Sequence, residues 1–169
     1  SGLATPLAVK RAAFTAFGVG AVAGLGLAVM TSWWLIAVGL AAIFAAWGYT
    51  GGKNPYGYLG LGELFVFIFF GVVATVGTYY VQTLTITLAA FAASISMGSL
   101  SCALLAINNI RDIPTDQEAG KRTLAVKLGE KKARRFFVLL LVLVFLLLTL
   151  WELVLLRRRC NRRSLQRGM

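Results

Sequence analysis

The sequence contains no histidine and only two cysteines, and few of its residues carry a charge. Without histidine, no imidazole is present to activate a serine or cysteine nucleophile, and a Cys/His metal site is excluded as well. Any catalysis must therefore use carboxylates, basic groups and a bound metal. The charged fraction is 14%, against about 25% in an ordinary soluble domain, which favours a lipid environment over water.

Long stretches without any charge predict membrane-spanning helices. The hydrophobic fraction is 59% and the mean hydropathy is +0.79. A spanning helix needs about 20 apolar residues to cross a hydrocarbon core about 30 Å thick. Five segments qualify, at residues 12–29, 33–49, 64–81, 84–107 and 136–156. We therefore predict an all-α fold, a multi-span transmembrane helical bundle in a lipid bilayer.

The basic residues are concentrated in one loop and one tail. Of the 17 Lys and Arg, eight lie in residues 111–135 and six in the tail, residues 157–169. Basic residues beside apolar spans usually set membrane orientation, so the net charge of +11 does not indicate a nucleic-acid partner. The positive-inside rule predicts that the two long loops, residues 50–62 and 108–135, are cytoplasmic.

The loop after the fourth span holds the sharpest candidate site. Asp112 and Asp116 are four residues apart, the spacing that places two carboxylates on one helical face. Pro114 lies between them and predicts a kink or a helix end near Asp112. Paired carboxylates with the nearby oxygens of Asn108 and Asn109 suit Mg²⁺, which is typically shared with substrate phosphates.

Two groups of basic residues could complete such a site. Lys121 and Arg122 follow the acidic pair and could hold the outer phosphate oxygens. Lys53 lies in the other long loop, among glycines that permit a close approach to an anion. If both loops are cytoplasmic, these side chains could face a single ligand.

The same strings also fit ordinary connections between helices. Thr115 and Glu118 have the spacing of a capping box, Gly129 could end a short helix, and the charges could serve only to orient the chain. Tyr56 and Tyr58 could lie in the aromatic belt of the membrane interface. Spacing alone leaves the functional and the structural interpretation open.

The loop sequences resemble those of the UbiA-type intramembrane prenyltransferases, and most closely the 1,4-dihydroxy-2-naphthoate polyprenyltransferases. The residues that carry the resemblance are Asn109, Arg111, Asp112, Asp116 and the run at 120–126, with support from residues 49–52, 55–71 and 76–82. It extends from about residue 1 into the last span, whereas the arginine-rich tail does not resemble the family.

The resemblance implies a helical bundle of about nine spans in the plasma membrane of a bacterium, with the site at its cytoplasmic side. Asp112 and Asp116 would be catalytic and would bind Mg²⁺ on a prenyl diphosphate, which Lys53, Lys121, Arg122, Asn108 and Asn109 would help to hold. A polyprenyl group would be transferred to 1,4-dihydroxy-2-naphthoate in menaquinone biosynthesis. The family's first aspartate motif, N-D-x-x-D, does not occur here, so we expect residues 1–156 to be a partial prenyltransferase domain.

Other classes of membrane protein are alternatives. A non-catalytic protein or a transporter fragment would use the charged loop only for orientation, but transport favours ionisable residues in mid-span, and only Glu152, near one end, lies within a span. A membrane phosphotransferase would also place aspartates at the surface, in a closer group than Asp112 and Asp116.

Overall fold

The computed structural model describes residues 4–51 and 55–167, and every regular element in those ranges is helical. The elements are α1 (Pro6–Met30), α2 (Trp34–Thr50), a 3₁₀ turn (Tyr56–Leu59), α3 (Gly62–Thr83), α4 (Leu88–Arg111), α5 (Ile113–Glu118), α6 (Leu124–Leu128) and α7 (Glu130–Arg167). The all-α prediction is confirmed.

Each of the five predicted spans lies on a helix, and four of these helices are long and apolar enough to cross a membrane: α1, α3, α4 and the Glu130–Val154 part of α7. The fifth, α2, has 17 residues and extends for about 25 Å at 1.5 Å per residue. The protein is therefore an integral membrane protein by the length and composition of its helices.

The bounds of the helices differ from those of the predicted spans at several points. α4 begins at Leu88 rather than at residue 84, because Leu84 ends α3 in the left-handed region at φ 55° and Thr87 caps α4 by accepting from the Ala90 N–H at 3.2 Å. α7 does not end at residue 156 but continues to Arg167. Arginine has a high helix propensity, so the basic tail extends the last helix.

α4 is the central helix, since it packs against both α3 and α7. The approach to α3 is closest where two glycines meet. A Cβ atom added to Gly71 would lie 2.5 Å from the Cα of Gly98 and 3.1 Å from the carbonyl oxygen of Ser94. Small residues permit such contact between helix backbones in lipid. α3 is π-helical through this region, over Phe67–Val73.

The connection between α4 and α7 folds back into a small packed unit. Ile110, Ala125 and Ala133 form its buried core, and Ile113, Leu128 and Phe137 pack against it. Gly129, at φ 74°, ends α6 as the sequence indicated. The capping box is not formed, because Thr115 lies inside α5 rather than at its N-cap; its hydroxyl donates to the backbone oxygen of Asp112 at 3.0 Å. The loop is thus built around its own core.

Candidate functional site

The two loops that carry the candidate residues are bound to each other. The Arg122 N–H donates to the carbonyl oxygen of Tyr58 at 2.9 Å, and the Lys127 ammonium donates to that of Leu59 at 2.7 Å. Gly60 lies between them in the left-handed region, at φ 74°, and a Cβ there would lie 3.1 Å from the Arg122 carbonyl oxygen. The 3₁₀ turn and the start of α6 therefore form one polar surface at the end of the bundle.

The acidic pair lies at a break between helices, as Pro114 predicted. α4 ends at Arg111, and the Asp116 N–H donates to the backbone oxygen of Asp112 at 2.9 Å across the start of α5. The Arg111 guanidinium binds the Asp112 carboxylate through two nitrogens, at 2.8 and 3.1 Å. Its hydrogen bonds hold the pKa of Asp112 below the ordinary value, so this carboxylate stays ionised.

Asp116 occupies a different environment from Asp112. Its side chain is only 9% exposed, whereas that of Asp112 is 41% exposed. The Lys121 ammonium lies 3.2 Å from a carboxylate oxygen of Asp116. The hydrogen bond and charge of Asp116 raise the pKa of Lys121, which keeps the ammonium protonated at neutral pH.

Lys121 joins the two loops. Besides its ion pair with Asp116, its ammonium lies 5.0 Å from the centre of the Tyr58 ring, within the range of a cation–π contact. An ammonium held between a carboxylate and an aromatic face, and still partly exposed, is suitably placed to meet an anion that binds beside Asp116. Tyr58, interpreted from the sequence only as an interfacial residue, is therefore part of this site.

The other predicted site residues do not share the environment of Asp112, Asp116 and Lys121. Asn108 and Arg122 have exposed side chains at the surface of the site. Asn109 is turned toward α3, where its amide nitrogen donates to Glu63 Oε1 at 3.0 Å. Lys53 lies outside the described residues.

Glu63 was not predicted as a site residue. It is buried at the start of α3, next to a glycine-rich turn that made it look like the end of a loop. The signal that could have found it is an acidic residue at the head of an apolar span.

An apolar cavity opens beside the polar surface. It has a volume of about 610 Å³ and lies between α2 and the π-helical part of α3, with small and aromatic residues along its walls: Ala42, Ala45, Ala46, Tyr49, Tyr56, Phe65, Val66, Phe69, Phe70, Val73 and Ala74. Tyr56 stacks on Phe65 with ring centres 3.9 Å apart, and its hydroxyl donates to the Ala45 carbonyl. The size falls within the range of ordinary ligand pockets.

Tyr49 links this cavity to the polar surface. Its ring lies against Gly57 and Gly62, where a Cβ would be 3.1 and 3.5 Å from it. Tyr49 therefore lines the apolar space and also adjoins the 3₁₀ turn that carries Tyr58. An elongated ligand could therefore place an apolar chain in the cavity and an anionic head at the polar surface.

Only the chemistry of the acidic pair points to a divalent cation, because carboxylate oxygens are ligands that hard cations prefer. Among the described residues, no group of three or more His, Cys, Asp or Glu side chains converges as a metal site. The protein's contribution at this point would be the carboxylates of Asp112 and Asp116, with asparagine oxygens nearby. Mg²⁺ is commonly bound through one or two carboxylates, and water and substrate phosphates supply its remaining ligands.

Comparison with known proteins identifies a family and several relatives. The UbiA prenyltransferase family matches residues 2–157. A 1,4-dihydroxy-2-naphthoate octaprenyltransferase of Mycobacterium tuberculosis is 51% identical over 152 residues, which cover 88% of this chain and 52% of the relative. The enzyme of the same name from Escherichia coli is 38% identical, over 90% of this chain and 51% of the relative. The chain spans about half the length of these relatives. No solved structure matches it.

Proposed function

The chain belongs to the UbiA prenyltransferase family, and we propose that the protein transfers a polyprenyl group from a prenyl diphosphate to 1,4-dihydroxy-2-naphthoate. Relatives that carry this activity in their names match most of the chain. The proposal includes Mg²⁺ as the divalent metal and menaquinone biosynthesis as the pathway.

The observation that carries the proposal is that a charged surface and an apolar cavity adjoin the same 3₁₀ turn, since Tyr56 lines the cavity and Tyr58 lies beneath the Lys121 ammonium. Asp112, Asp116 and Lys121 carry the charge of the polar surface, and Tyr49, Tyr56 and Phe65 are among the residues that line the cavity. A prenyl diphosphate has the same division, with a strongly anionic head and a hydrocarbon tail. We therefore assign the head to the joined loops and the tail to the space between α2 and α3.

In the proposed reaction the allylic C–O bond breaks and its electron pair leaves with the diphosphate. The ring carbon that bears the carboxylate forms a bond to the allylic carbon, and the bond from that ring carbon to the carboxylate then breaks, so that CO₂ departs and its bonding electrons return to the ring. Lys121 would balance charge on the leaving diphosphate, and the exposed Arg122 could reach its outer oxygens. Aromatic walls would keep water from the allylic cation.

Asp112 and Asp116 would hold the metal. A bound Mg²⁺ supplies charge that stabilises the diphosphate as a leaving group. In the absence of the metal, Arg111 and Lys121 neutralise the charges of Asp112 and Asp116, respectively. Lys121 is thus expected to exchange Asp116 for the diphosphate when the metal is present. Lys53 and Asn108 remain proposed diphosphate contacts, and both long loops are proposed to be cytoplasmic.

The test uses the protein expressed from its complete gene in a bacterial membrane that lacks its own naphthoate prenyltransferase. Asp112→Asn and Asp116→Asn should each lower kcat by at least about a hundredfold, the scale of removing one electrostatic stabiliser. Glu118→Gln is the matched control, because Glu118 is an exposed acid of the same short helix. Turnover unchanged in either aspartate variant, at equal protein levels, would remove that residue from the site.

A further inference from the structure

Glu63 is a buried carboxylate with one side-chain hydrogen bond in the described part of the chain. The residue is 6% exposed, and Oε1 accepts from the Asn109 amide nitrogen at 3.0 Å. Oε2 is buried without a partner, and none of the ion pairs found among the described residues includes Glu63. Burying a carboxylate without a cation destabilises a fold.

The carboxylate determines how the Asn109 carboxamide is turned. An ionised carboxylate only accepts hydrogen bonds, whereas a carboxamide has one end that donates and one that accepts. With Nδ2 directed at Glu63, the amide oxygen of Asn109 must face away from it. That oxygen accepts no hydrogen bond from any described residue. Asn109 lies three residues before Asp112, and residues at this spacing are neighbours on one helix face.

We propose that Glu63 is a positioning residue, which turns the Asn109 carboxamide so that its oxygen faces the metal and diphosphate held by Asp112. Carboxamide oxygens are ligands that hard divalent cations accept. The proposal rests on the proposed function, because it takes Asp112 and Asp116 as the metal-binding pair. Glu63 would act only through Asn109 and would not touch the substrate.

The surroundings of Glu63 provide a matched control. The thiol of Cys102 donates to the backbone oxygen of Glu63 at 3.0 Å, from the same face of α4 and seven residues before Asn109. Cys102→Ala therefore disturbs packing at Glu63 and leaves the carboxamide's partner in place. Glu63→Leu removes the acceptor, whereas Glu63→Gln keeps an oxygen that Asn109 can donate to.

The measurement is binding of farnesyl thiolodiphosphate, an unreactive prenyl diphosphate analogue, by calorimetry at a series of Mg²⁺ concentrations. The protein is expressed from its complete gene and held in nanodiscs. Glu63→Leu should raise the Mg²⁺ concentration for half-maximal binding about tenfold, the scale of losing an outer partner of a metal ligand. For Glu63→Gln and Cys102→Ala, the Mg²⁺ concentration for half-maximal binding should stay within about threefold of that of the parent protein, because neither change removes the partner of Asn109. The melting temperature of each variant is measured in parallel.

A reversed pair keeps the proposal testable if Glu63→Leu does not fold. Asn109→Asp places two carboxylates against each other and should weaken Mg²⁺-dependent binding. Adding Glu63→Gln lets the glutamine amide donate to the new aspartate, so the double variant should recover binding. Recovery of thermal stability without recovery of the Mg²⁺ dependence would overturn the positioning role.

The aspartate and glutamate variants distinguish the proposed function from the role of Glu63. If Asp112→Asn and Asp116→Asn leave Mg²⁺-dependent binding of the analogue intact, the proposed function fails, and the role of Glu63 fails with it. If both aspartate variants abolish that binding while Glu63→Leu leaves its Mg²⁺ dependence unchanged, only the role of Glu63 is wrong.

Discussion

The crossing of α3 and α4 should tolerate no side chain at Gly71. A Cβ there would lie 2.5 Å from the Cα of Gly98, 3.0 Å from its nitrogen and 3.1 Å from the Ser94 carbonyl oxygen. All three atoms belong to the backbone, so no side chain can rotate to make room. Gly71→Ala must therefore push the helices apart along their contact.

The expected magnitude follows from two opposing effects. Overpacking of a close contact costs about 1 to 3 kcal/mol, and alanine in place of glycine in a helix returns up to about 1 kcal/mol. Since the obstacle is backbone, we expect the upper end of the cost and a net loss of about 2 kcal/mol. For a chain of this size that corresponds to a fall in melting temperature of about 4 to 8 °C.

The matched comparisons are other glycines of the same two helices. Gly77 also lies in α3, but a Cβ there meets nothing within 4 Å, so Gly77→Ala should be neutral or stabilising. At Gly98 a Cβ would lie 2.8 Å from the Phe67 ring, which can move, so Gly98→Ala should have an intermediate effect. The assay is size-exclusion chromatography of detergent-solubilised protein after heating. Equal melting temperatures for Gly71→Ala and Gly77→Ala would refute the close crossing.

Three further predictions concern the site and its orientation. Ala42→Phe should fill the cavity and raise KM for the prenyl diphosphate about tenfold, the scale of a misfitted apolar pocket. Ala41 does not line the cavity, so Ala41→Phe should leave KM unchanged. Equal KM values for the two variants would place the prenyl chain elsewhere. Arg111→Met should let the pKa of Asp112 rise toward its ordinary value. Because the carboxylate binds metal only when ionised, Mg²⁺-dependent binding should then be lost at a higher pH than in the parent protein as the pH falls from 6 to 4. Coincident pH profiles of the two proteins would contradict this. A cysteine at Gln117 should resist an impermeant thiol reagent in intact cells, and rapid labelling would reverse the proposed orientation.

Much of the secondary structure could be predicted because the relevant signals are local. A run of uncharged residues predicts a helix in lipid whatever its neighbours are, and all five predicted segments are helical. Pro114 indicated the helix end at Asp112, and Gly129 indicated the end of α6. The exact boundaries needed the caps themselves, such as Thr87, whose hydrogen bond moved the start of α4.

The composition of the site could be predicted only in part. The charge pattern predicted that both loops lie on one side of the membrane. The structure brings the Tyr58 loop and the Lys121 loop into direct contact. Asp112, Asp116 and Lys121 were predicted from their spacing within one loop. Their pairing, with Arg111 on one acid and Lys121 on the other, depends on where α5 turns the backbone.

By itself, the sequence determined that this is a helical membrane protein with a charged loop beside its spans, since hydropathy and charge act on each segment separately. Only the tertiary structure decided which polar groups come into contact at the end of the helical bundle. Glu63 and Asn109 are 46 residues apart, and their hydrogen bond exists because glycines let α3 and α4 approach closely. No local sequence pattern predicts this hydrogen bond, because it depends on how two helices with similar apolar surfaces pack against each other.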